Sequence, residues 1–241
     1  MKIQNSKYFY NNFFVNQIKD GHEEAGDPEN SLKYIKTLNI DKNSKILDIG
    51  THIGTLTAKL YQYGYLNVTG IDISEEAVNY GKNKYPFLKE KLIIFNGDKL
   101  PFPDKTFDAV SMFDVIEHIP DISTFLKKEV FRVLKNNGVL IFQTPNKFTN
   151  ILWTFFSTKS FRKTRNFIIN DHCSLQTLTS LKKLLLNSGF NNINIEKNYL
   201  RNECDKSKIT KKIGSFFLFL LPLFKILPLF LFPNFWGTVK K

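Results

Sequence analysis

The sequence has little cysteine, and it lacks the short motifs that mark several large enzyme classes. Its 241 residues include only two cysteines, Cys173 and Cys204, and they do not form a CxxC pair. We therefore expect no disulfide framework and no structural zinc site, and we expect a reducing, cytoplasmic setting. The sequence also contains no GxxxxGK[ST] loop and no GxSxG turn, which argues against a P-loop NTPase and an α/β-hydrolase.

Acidic residues are scarce in the C-terminal part of the chain. Residues 145–241 contain 16 Lys and Arg against 4 Asp and Glu, whereas residues 1–144 contain 18 of each kind. The whole net charge of +12 therefore lies in the C-terminal part. Such a region favours an anionic lipid surface, nucleic acid or an acidic substrate, and a solvated surface without a partner is an equal alternative. The N-terminal residues lack the long apolar run of a signal peptide.

Residues 45–57, KILDIGTHIGTLT, predict a strand, a turn and the start of a helix. The apolar run around Leu47 is typical of a parallel strand that is covered on both faces. Gly50 and Gly54 then bracket the turn, where glycine reaches positive φ and lets a ligand approach the backbone. The helix that follows presents N–H groups that favour a carboxylate or a phosphate. The turn is therefore either a ligand cradle or a tight connection.

Strand and helix patterns alternate as far as residue 144, and these five strand-helix units predict a parallel, doubly wound sheet. Further strands are predicted over residues 67–73, 91–95, 107–112, 139–144, 192–199 and 235–240, with a turn at residues 135–138. Helices are predicted over residues 7–20, from Asp27-Pro28 to Asn39, after the cap Ser74, from Pro120 to Leu134, and after the cap Ser174 over residues 175–187. Asp72 ends one strand about 20 residues after the glycine turn, where an acidic group can accept both ribose hydroxyls of a nucleoside.

The glycine turn at residues 48–54 resembles motif I of the class I S-adenosylmethionine (SAM) methyltransferases, an acidic-x-Gly-x-Gly-x-Gly segment. Here it spans Asp48 to Gly54, with His52 at the position of the central glycine. The His52 side chain is expected either to point outward or to narrow the pocket. Residues 97–108, GDKLPFPDKTFD, resemble the family segment whose Asp accepts the adenine amino group. Residues 113–121, FDVIEHIPD, are similar to the segment after strand four in the ubiquinone-biosynthesis O-methyltransferases.

The resemblance is strong over about residues 40–145, and it implies an α/β fold with a Rossmann-like, doubly wound, seven-stranded sheet and SAM as cofactor. The cofactor-binding residues that it implies are Asp48, Gly50, Gly54, Asp72, Ile73, Asp98, Lys99 and Phe113. It places Glu117 and His118 on the substrate side. We predict a helical cap over residues 1–44, a SAM-binding core over residues 45–145, and a substrate-side lid with the remaining strands over residues 146–241.

Three residues are candidates for catalysis. His118 is the first candidate for a general base, because imidazole titrates near neutral pH and the residue follows strand four. A hydrogen bond from His118 to the following turn is an equal alternative. Glu117 could orient His118 or hold a metal, although we predict no metal site. His172 is the second candidate base, and its alternative role is to help cap the helix that follows it.

Residues 213–232, IGSFFLFLLPLFKILPLFLF, are almost entirely apolar. Pro222, Lys225 and Pro228 interrupt the run and disfavour a straight transmembrane helix. Because residues 235–240 are predicted to return to the sheet, we predict an apolar helical insertion that lies in one leaflet of a membrane. A cap that is buried on the domain or in a dimer interface is the alternative.

The combined pattern predicts a SAM-dependent methyltransferase that is peripheral on the inner face of the membrane. Its acceptor is predicted to be a hydroxyl of a lipid-linked or membrane-associated small molecule, and an anionic membrane surface is a predicted partner. A non-catalytic scaffold with the same fold and a dinucleotide-dependent oxidoreductase are the alternatives. No nucleic acid partner is expected, because no signature of base methylation is present. The patterns leave the oligomeric state open.

Overall fold

A seven-stranded sheet forms the centre of the structure, a computed structural model that describes residues 3–156, 172–197 and 228–241. The strands are β1 (Ile46–Ile49), β2 (Val68–Asp72), β3 (Leu92–Ile94), β4 (Phe107–Phe113), β5 (Leu134–Pro145), β6 (Asn191–Glu196) and β7 (Asn234–Lys240). They lie in the order β3-β2-β1-β4-β5-β7-β6. Strands β1 to β5 pair in parallel, and β7 pairs antiparallel with β5 and β6. The predicted Rossmann-like, doubly wound, seven-stranded sheet is therefore confirmed.

Helices connect the strands and cover the sheet. They are α1 (Ile3–Lys19), α2 (Pro28–Thr37), α3 (Thr55–Gln62), α4 (Glu75–Lys84), α5 (Ile122–Phe125), α6 (Phe131–Val133), α7 (Lys147–Phe156) and α8 (Leu178–Asn187). A π-helical turn, Leu126–Val130, joins α5 to α6, and these three pieces occupy the span where a single helix was predicted. Short 3-10 turns cover Pro86–Leu88, Ile116–His118 and Leu229–Leu231.

Each face of the sheet has its own apolar core. On one face, Ile46 of β1 is buried in a cluster with Ile35 of α2 and Leu60 of α3. On the other face, Leu47 of the same strand is buried in a cluster with Leu181 of α8. Successive residues of a strand point to opposite faces, so β1 is covered on both sides. Its continuous apolar run follows from this position in the middle of the sheet.

Two helices begin where the sequence predicted, and their caps explain why. Asp27 Oδ1 accepts a hydrogen bond from Asn30 N at 3.0 Å at the start of α2. Ser74 Oγ accepts one from Ala77 N at 3.2 Å at the start of α4. Each side chain satisfies an N–H group that has no partner within its own helix.

The helix that was predicted to follow a Ser174 cap begins later, and that prediction is wrong. The first residue of α8 is Leu178, and its cap is Thr177, whose Oγ1 accepts a hydrogen bond from Ser180 N at 3.2 Å. Ser174 Oγ instead donates to Ile119 O at 2.6 Å. Both Ser174 and Thr177 precede the amphipathic pattern and could cap the helix. The contact with Ile119 engages the Ser174 hydroxyl, so Thr177 is the cap.

The predicted turn at residues 135–138 lies inside β5. Leu134 already pairs with Phe107, and the register shifts before Val139 pairs with Ala109. An irregularity of this kind inserts extra residues into one strand and bends it. The turn signal in the sequence therefore marks a bulge within the strand rather than its beginning.

Part of the predicted C-terminal insertion lies outside the described residues. The apolar stretch 213–232 is described only from Pro228, after which the turn Leu229–Leu231 leads into β7. The basic residues 162–165 of the predicted lid also lie outside the described part of the chain. Within the described ranges, no helix combines the length and the apolar character that a membrane span requires.

Candidate active site

A cavity of about 520 Å³ lies at the carboxyl ends of β1, β2 and β4. Its walls include Tyr10, Phe13, Gly50, His52, Asp72, Ile73, Phe95, Gly97, Asp114, Val115, Glu117, His118, Ile119, Phe125, Pro145 and His172. A smaller cavity of about 90 Å³ shares with it Ala25, Gly26, Gly50, His52 and Asp114. Ligands of open α/β sheets bind at this edge, and the larger volume suits a small molecule.

The turn after β1 requires its two glycines. Gly50 has a φ of 77°, and a Cβ atom there would lie 2.3 Å from Cγ2 of Val115. Gly54 has a φ of 82°, and a Cβ atom there would lie 2.8 Å from the Leu92 side chain. Side chains rarely adopt positive φ, and neither position has room for one. The turn is therefore held close to the segment after β4 on one side and to β3 on the other.

His52 adopts the backbone conformation of the glycine that it replaces, with a φ of 55°. Its N–H donates to Asp72 Oδ2 at 2.8 Å, so the turn is tied to the end of β2. Its ring packs edge-on against Phe14 of α1, with the centroids 5.2 Å apart. Burial lowers the pKa of His52 to about 4, so the ring is neutral at pH 7. The side chain both lines the cavities and contacts α1.

Asp72 lies on the cavity wall where β2 ends. Its Oδ1 accepts a hydrogen bond from Ser74 N at 2.8 Å, while Oδ2 accepts the one from His52. Burial raises the pKa of Asp72 above its ordinary value. The next residue, Ile73, also lines the cavity. This pair offers an acceptor for hydroxyl groups beside an apolar surface.

Asp48 lies beneath the glycine turn and lines only the smaller of these two cavities. Its two oxygens accept hydrogen bonds from Thr57 Oγ1 at 2.9 Å and from Ser111 Oγ at 2.8 Å. Burial raises the pKa of Asp48 to about 6. Because its oxygens are engaged by α3 and β4, Asp48 fixes the turn between these elements.

Three other residues predicted to bind cofactor lie away from the larger cavity. Asp98 and Lys99 are exposed, and their neighbour Gly97 lines the wall instead. Phe113 lines the smaller cavity and packs on Trp236, with the ring centroids 5.6 Å apart. The structure thus brings Gly50, Asp72 and Ile73 together on the wall of the larger cavity. Asp98, Lys99 and Phe113 do not line that cavity.

Glu117 also lines the cavity and is almost completely buried. Thr144 of β5 donates a hydrogen bond to its Oε2 at 2.9 Å. Its Oε1 lies 3.9 Å from Nε2 of His118. Burial, and then the nearby charge of Asp114, raise the pKa of Glu117 to about 8. A carboxyl group in this setting keeps its proton at neutral pH and can exchange it with an imidazole.

His172 joins this pair from a distant part of the chain. Its ring centroid lies 4.9 Å from that of His118. Backbone contacts hold it there, since Ser174 N donates to Glu117 O at 2.9 Å. The ligand-capable atoms of Glu117, His118 and His172 all lie within 4.8 Å of one another, a spacing that could also admit a divalent cation. The sequence predicted the three residues individually but not their grouping.

Sequence reasoning missed Asp114, which lines both cavities. It follows β4 with a φ of 53°, and burial raises its pKa. Its position inside the quoted motif after strand four was the available signal, but only Phe113, Glu117 and His118 were assigned roles from that motif. Two aromatic residues of α1, Tyr10 and Phe13, also line the larger cavity, where a helix over the mouth was expected.

Comparisons with known proteins agree with this geometry. A family model described as a methyltransferase domain matches residues 21–195. The chain is 31% identical over 148 residues to demethylmenaquinone methyltransferase of Tropheryma whipplei (strain Twist), covering 60% of this chain and 61% of that protein. It is 35% identical over 127 residues to the ubiquinone biosynthesis O-methyltransferase of Pelagibacter ubique, covering 49% of this chain and 50% of that protein. These matches therefore span less than two thirds of the relatives' lengths.

Solved structures share the fold at low sequence identity. The [4+2]-cyclase SpnF is 15% identical with a TM-score of 0.64, and the alignment covers 98% of this chain and 94% of that one. A SAM complex of phosphoethanolamine N-methyltransferase 2 from Haemonchus contortus is 17% identical with a TM-score of 0.61, covering 88% of this chain and 52% of that one. At these identities the likeness establishes the fold.

Proposed function

This chain belongs to the methyltransferase-domain family, whose cofactor is SAM, and we propose that it methylates a hydroxyl of a lipid-linked or membrane-associated small molecule. One observation carries the proposal: a single cavity contains both the cofactor-type residues and a proton-exchanging group. Gly50 follows β1 and Asp72 ends β2, while Glu117 and His118 follow β4, which is adjacent to β1. A cofactor and an acceptor could therefore meet in one enclosed space.

The residues on the cofactor side fit SAM. The glycine turn keeps the backbone open at Gly50, and the Asp72 carboxyl group could accept the ribose hydroxyls beside the apolar Ile73. We assign the smaller cavity, between Asp48 and Phe113, to the amino-acid end of the cofactor. Bound SAM supplies a methyl group on a positively charged sulfur. An adenine contact from Asp98 or Lys99, with Gly54 starting α3 nearby, completes the proposed set.

We assign proton removal from the acceptor hydroxyl to His118. Its Nε2 lies 3.9 Å from Glu117 Oε1, and the charge of a protonated His118 lowers the pKa of that carboxyl group. As the imidazole takes the hydroxyl proton, Glu117 can release its own proton to solvent through the cavity, and the resulting carboxylate stabilises the new positive charge. His172 would hold the His118 ring in place. Alignment of the acceptor in the cavity supplies the remainder of the catalysis.

The cavity walls favour an acceptor with an apolar body. Beside the polar group at Glu117, the wall contains Phe13, Phe95, Phe125 and Ile119. A quinol-like or isoprenoid-linked molecule would place its apolar part against these side chains and its hydroxyl near His118. Two relatives carry names that refer to quinone-related compounds, which supports this class of acceptor.

We also propose that the protein works at the cytoplasmic face of a membrane, with residues 1–44 as a cap, 45–145 as the cofactor core and 146–241 as the acceptor side. The excess of 16 basic over 4 acidic residues in positions 145–241 supports this location. Each Lys or Arg close to an anionic surface contributes about 1 kcal/mol of attraction. The apolar residues 213–232 would add contact with lipid.

Calorimetric titration with SAM and with S-adenosylhomocysteine tests the cofactor assignment. We expect both to bind the wild-type chain, and we expect Asp72→Asn to weaken binding because the substitution removes the charged acceptor of the ribose hydroxyls. A thermal melt of the variant checks that the turn is intact, since Asp72 also accepts hydrogen bonds from His52 and Ser74. A folded wild-type chain that binds neither compound would instead be a non-catalytic scaffold.

A further inference from the structure

Three exposed apolar side chains lie together beside the cavity, and we call them the Phe148 patch. Phe148, Ile151 and Phe230 are 44%, 45% and 51% exposed. Phe148 and Ile151 are neighbours on one face of α7, since residues three apart in a helix lie side by side. The Phe148 and Phe230 rings are 6.5 Å apart between centroids. Two separate segments of the chain therefore build one apolar surface.

Asn146 fixes this patch to the cavity wall. The residue before it, Pro145, lines the cavity. Asn146 is fully buried, and its Nδ2 donates to Phe230 O at 2.7 Å and to Phe232 O at 2.8 Å. Its Oδ1 accepts a hydrogen bond from Phe148 N at 3.0 Å. One side chain thus holds both segments of the patch, immediately beyond the cavity wall at Pro145.

Among the described residues, lysines lie near the patch, and the Lys197 Nζ is 5.5 Å from the ring centroid of Phe232. Lys147 is exposed directly beside Phe148. Residues 145–241 hold 16 basic residues against 4 acidic ones. Among the described residues of that part, the single acid is Glu196, which accepts a hydrogen bond from Tyr34 Oη at 2.7 Å. An apolar surface flanked by lysines matches the interface of an anionic bilayer, where apolar side chains enter the acyl boundary and lysines approach the headgroups.

We propose that the Phe148 patch docks on a bilayer that contains anionic phospholipid, so that the Pro145 wall of the cavity faces the membrane. This inference rests on the proposed function, because it gives a lipid-linked acceptor a short path from the bilayer to the cavity. The acceptor's apolar tail would stay at the patch while its hydroxyl reaches the group at Glu117. The docking surface lies on the β5 and β7 side of the sheet, away from β2 and the cofactor residues that follow it.

The test is cosedimentation of the full chain with lipid vesicles. One set of vesicles contains phosphatidylcholine with phosphatidylglycerol, and the other contains phosphatidylcholine alone. The patch variant carries Phe148→Ser, Ile151→Ser and Phe230→Ser. The matched control carries Leu66→Ser, Phe87→Ser and Leu186→Ser, which remove apolar side chains that are 57%, 42% and 59% exposed elsewhere on the surface.

We expect the wild-type chain and the control to bind the anionic vesicles, and the patch variant to bind them at least about tenfold more weakly. Neutral vesicles should bind the wild-type chain less than anionic ones do. Equal binding by the patch variant and the wild-type chain would overturn the proposal, as would a wild-type chain that binds neither kind of vesicle.

Titration of the same preparations with S-adenosylhomocysteine separates this inference from the proposed function. A patch variant that binds this compound as the wild-type chain does is folded, so its loss of vesicle binding reports on the patch. If the wild-type chain binds the compound but no vesicles, docking alone fails. If it binds vesicles through the patch but not the compound, methyl transfer fails and the docking surface stands.

Discussion

Asp48 and Glu117 are both buried carboxyl groups near strand ends, yet their surroundings differ. Both oxygens of Asp48 accept hydrogen bonds from buried hydroxyl groups, at 2.9 and 2.8 Å. Glu117 accepts one such bond through Oε2, while its Oε1 faces His118 on the cavity wall. Burial raises the pKa of Asp48 to about 6 and that of Glu117 to about 8. The carboxyl group held by two hydroxyl groups fixes a turn, whereas the one that faces an imidazole keeps a proton that it can exchange.

The largest expected effect is that of Glu117→Gln on methyl transfer. The amide keeps the size of the side chain but cannot release a proton when His118 becomes charged, so we expect the rate to fall by about 10²- to 10⁴-fold. Single-turnover transfer to a quinol acceptor measures it, with S-adenosylhomocysteine affinity as the control for the cofactor side. A rate within about threefold of the wild type would mean that Glu117 has no part in proton transfer.

The second prediction concerns stability at alkaline pH. The folded-state pKa of Glu117 is about 8 against an ordinary value of 4.5, so the folded state holds this proton longer than the unfolded state does. The stability from the protonated carboxyl is complete below about pH 4.5 and is lost as the pH rises through about 8. We expect the free energy of unfolding, measured with urea, to fall by roughly a few kcal/mol between pH 5 and pH 9.

Glu117→Gln supplies the control for this prediction, because an amide does not titrate. Its unfolding free energy should be flatter over the same pH range than that of the wild-type chain. If the two curves run in parallel, the alkaline loss comes from other groups.

Asp48→Asn should act on stability and on cofactor affinity, but not on proton transfer. The amide retains only one acceptor oxygen, so the hydrogen bond from Thr57 or the one from Ser111 is lost in a buried site. We expect the free energy of unfolding to fall by about 1–3 kcal/mol. Urea unfolding at pH 7 measures the change. A rate loss as large as that of Glu117→Gln, in a variant that remains folded, would remove the distinction between the two carboxyl groups.

The smallest effect extends the comparison to a buried base, His52. Burial lowers its pKa to about 4 from 6.5, so the unfolded state takes up a proton first as the pH falls. The wild-type chain should therefore lose stability as the pH falls from about 6.5 towards 4. His52→Gly removes this loss and relaxes the positive φ, but it also removes the contact with Phe14.

At pH 7 we expect the unfolding free energy of His52→Gly to lie within about 1 kcal/mol of the wild type. The gain from a glycine at positive φ and the loss of the ring contact with Phe14 oppose each other. Unfolding curves at pH 4.5 and pH 7 give both comparisons. A variant that loses as much stability in acid as the wild type would show that His52 does not carry the acid effect.

The glycine turn and the elements around it could be predicted from sequence because their signals are local. The strand pattern, Gly50, Gly54 and the cap Ser74 lie close together in sequence, and each favours one local structure. Asp72 follows from the same alternation of strands and helices. The seven-stranded sheet was predictable for the same reason.

The grouping at Glu117 could not be predicted, because tertiary contacts create it. His172 lies against His118 because the backbone N–H of Ser174, two residues later, donates to Glu117 O. The neighbouring hydrogen bond from Ser174 Oγ to Ile119 O explains why Ser174 was wrongly predicted as a helix cap. The bulge in β5 has a similar origin, since the pairing of Leu134 with β4 overrides a local turn signal.

The placement of β7 between β5 and β6 has a consequence for biosynthesis. Residues 191–196 leave the ribosome before residues 234–240, yet β6 pairs in the sheet only with β7. During translation β6 must therefore wait without a strand partner while the intervening stretch, including the apolar residues 213–227, is made. The edge of β6 stays unpaired over this interval, and an unpaired strand edge favours aggregation until β7 has been made.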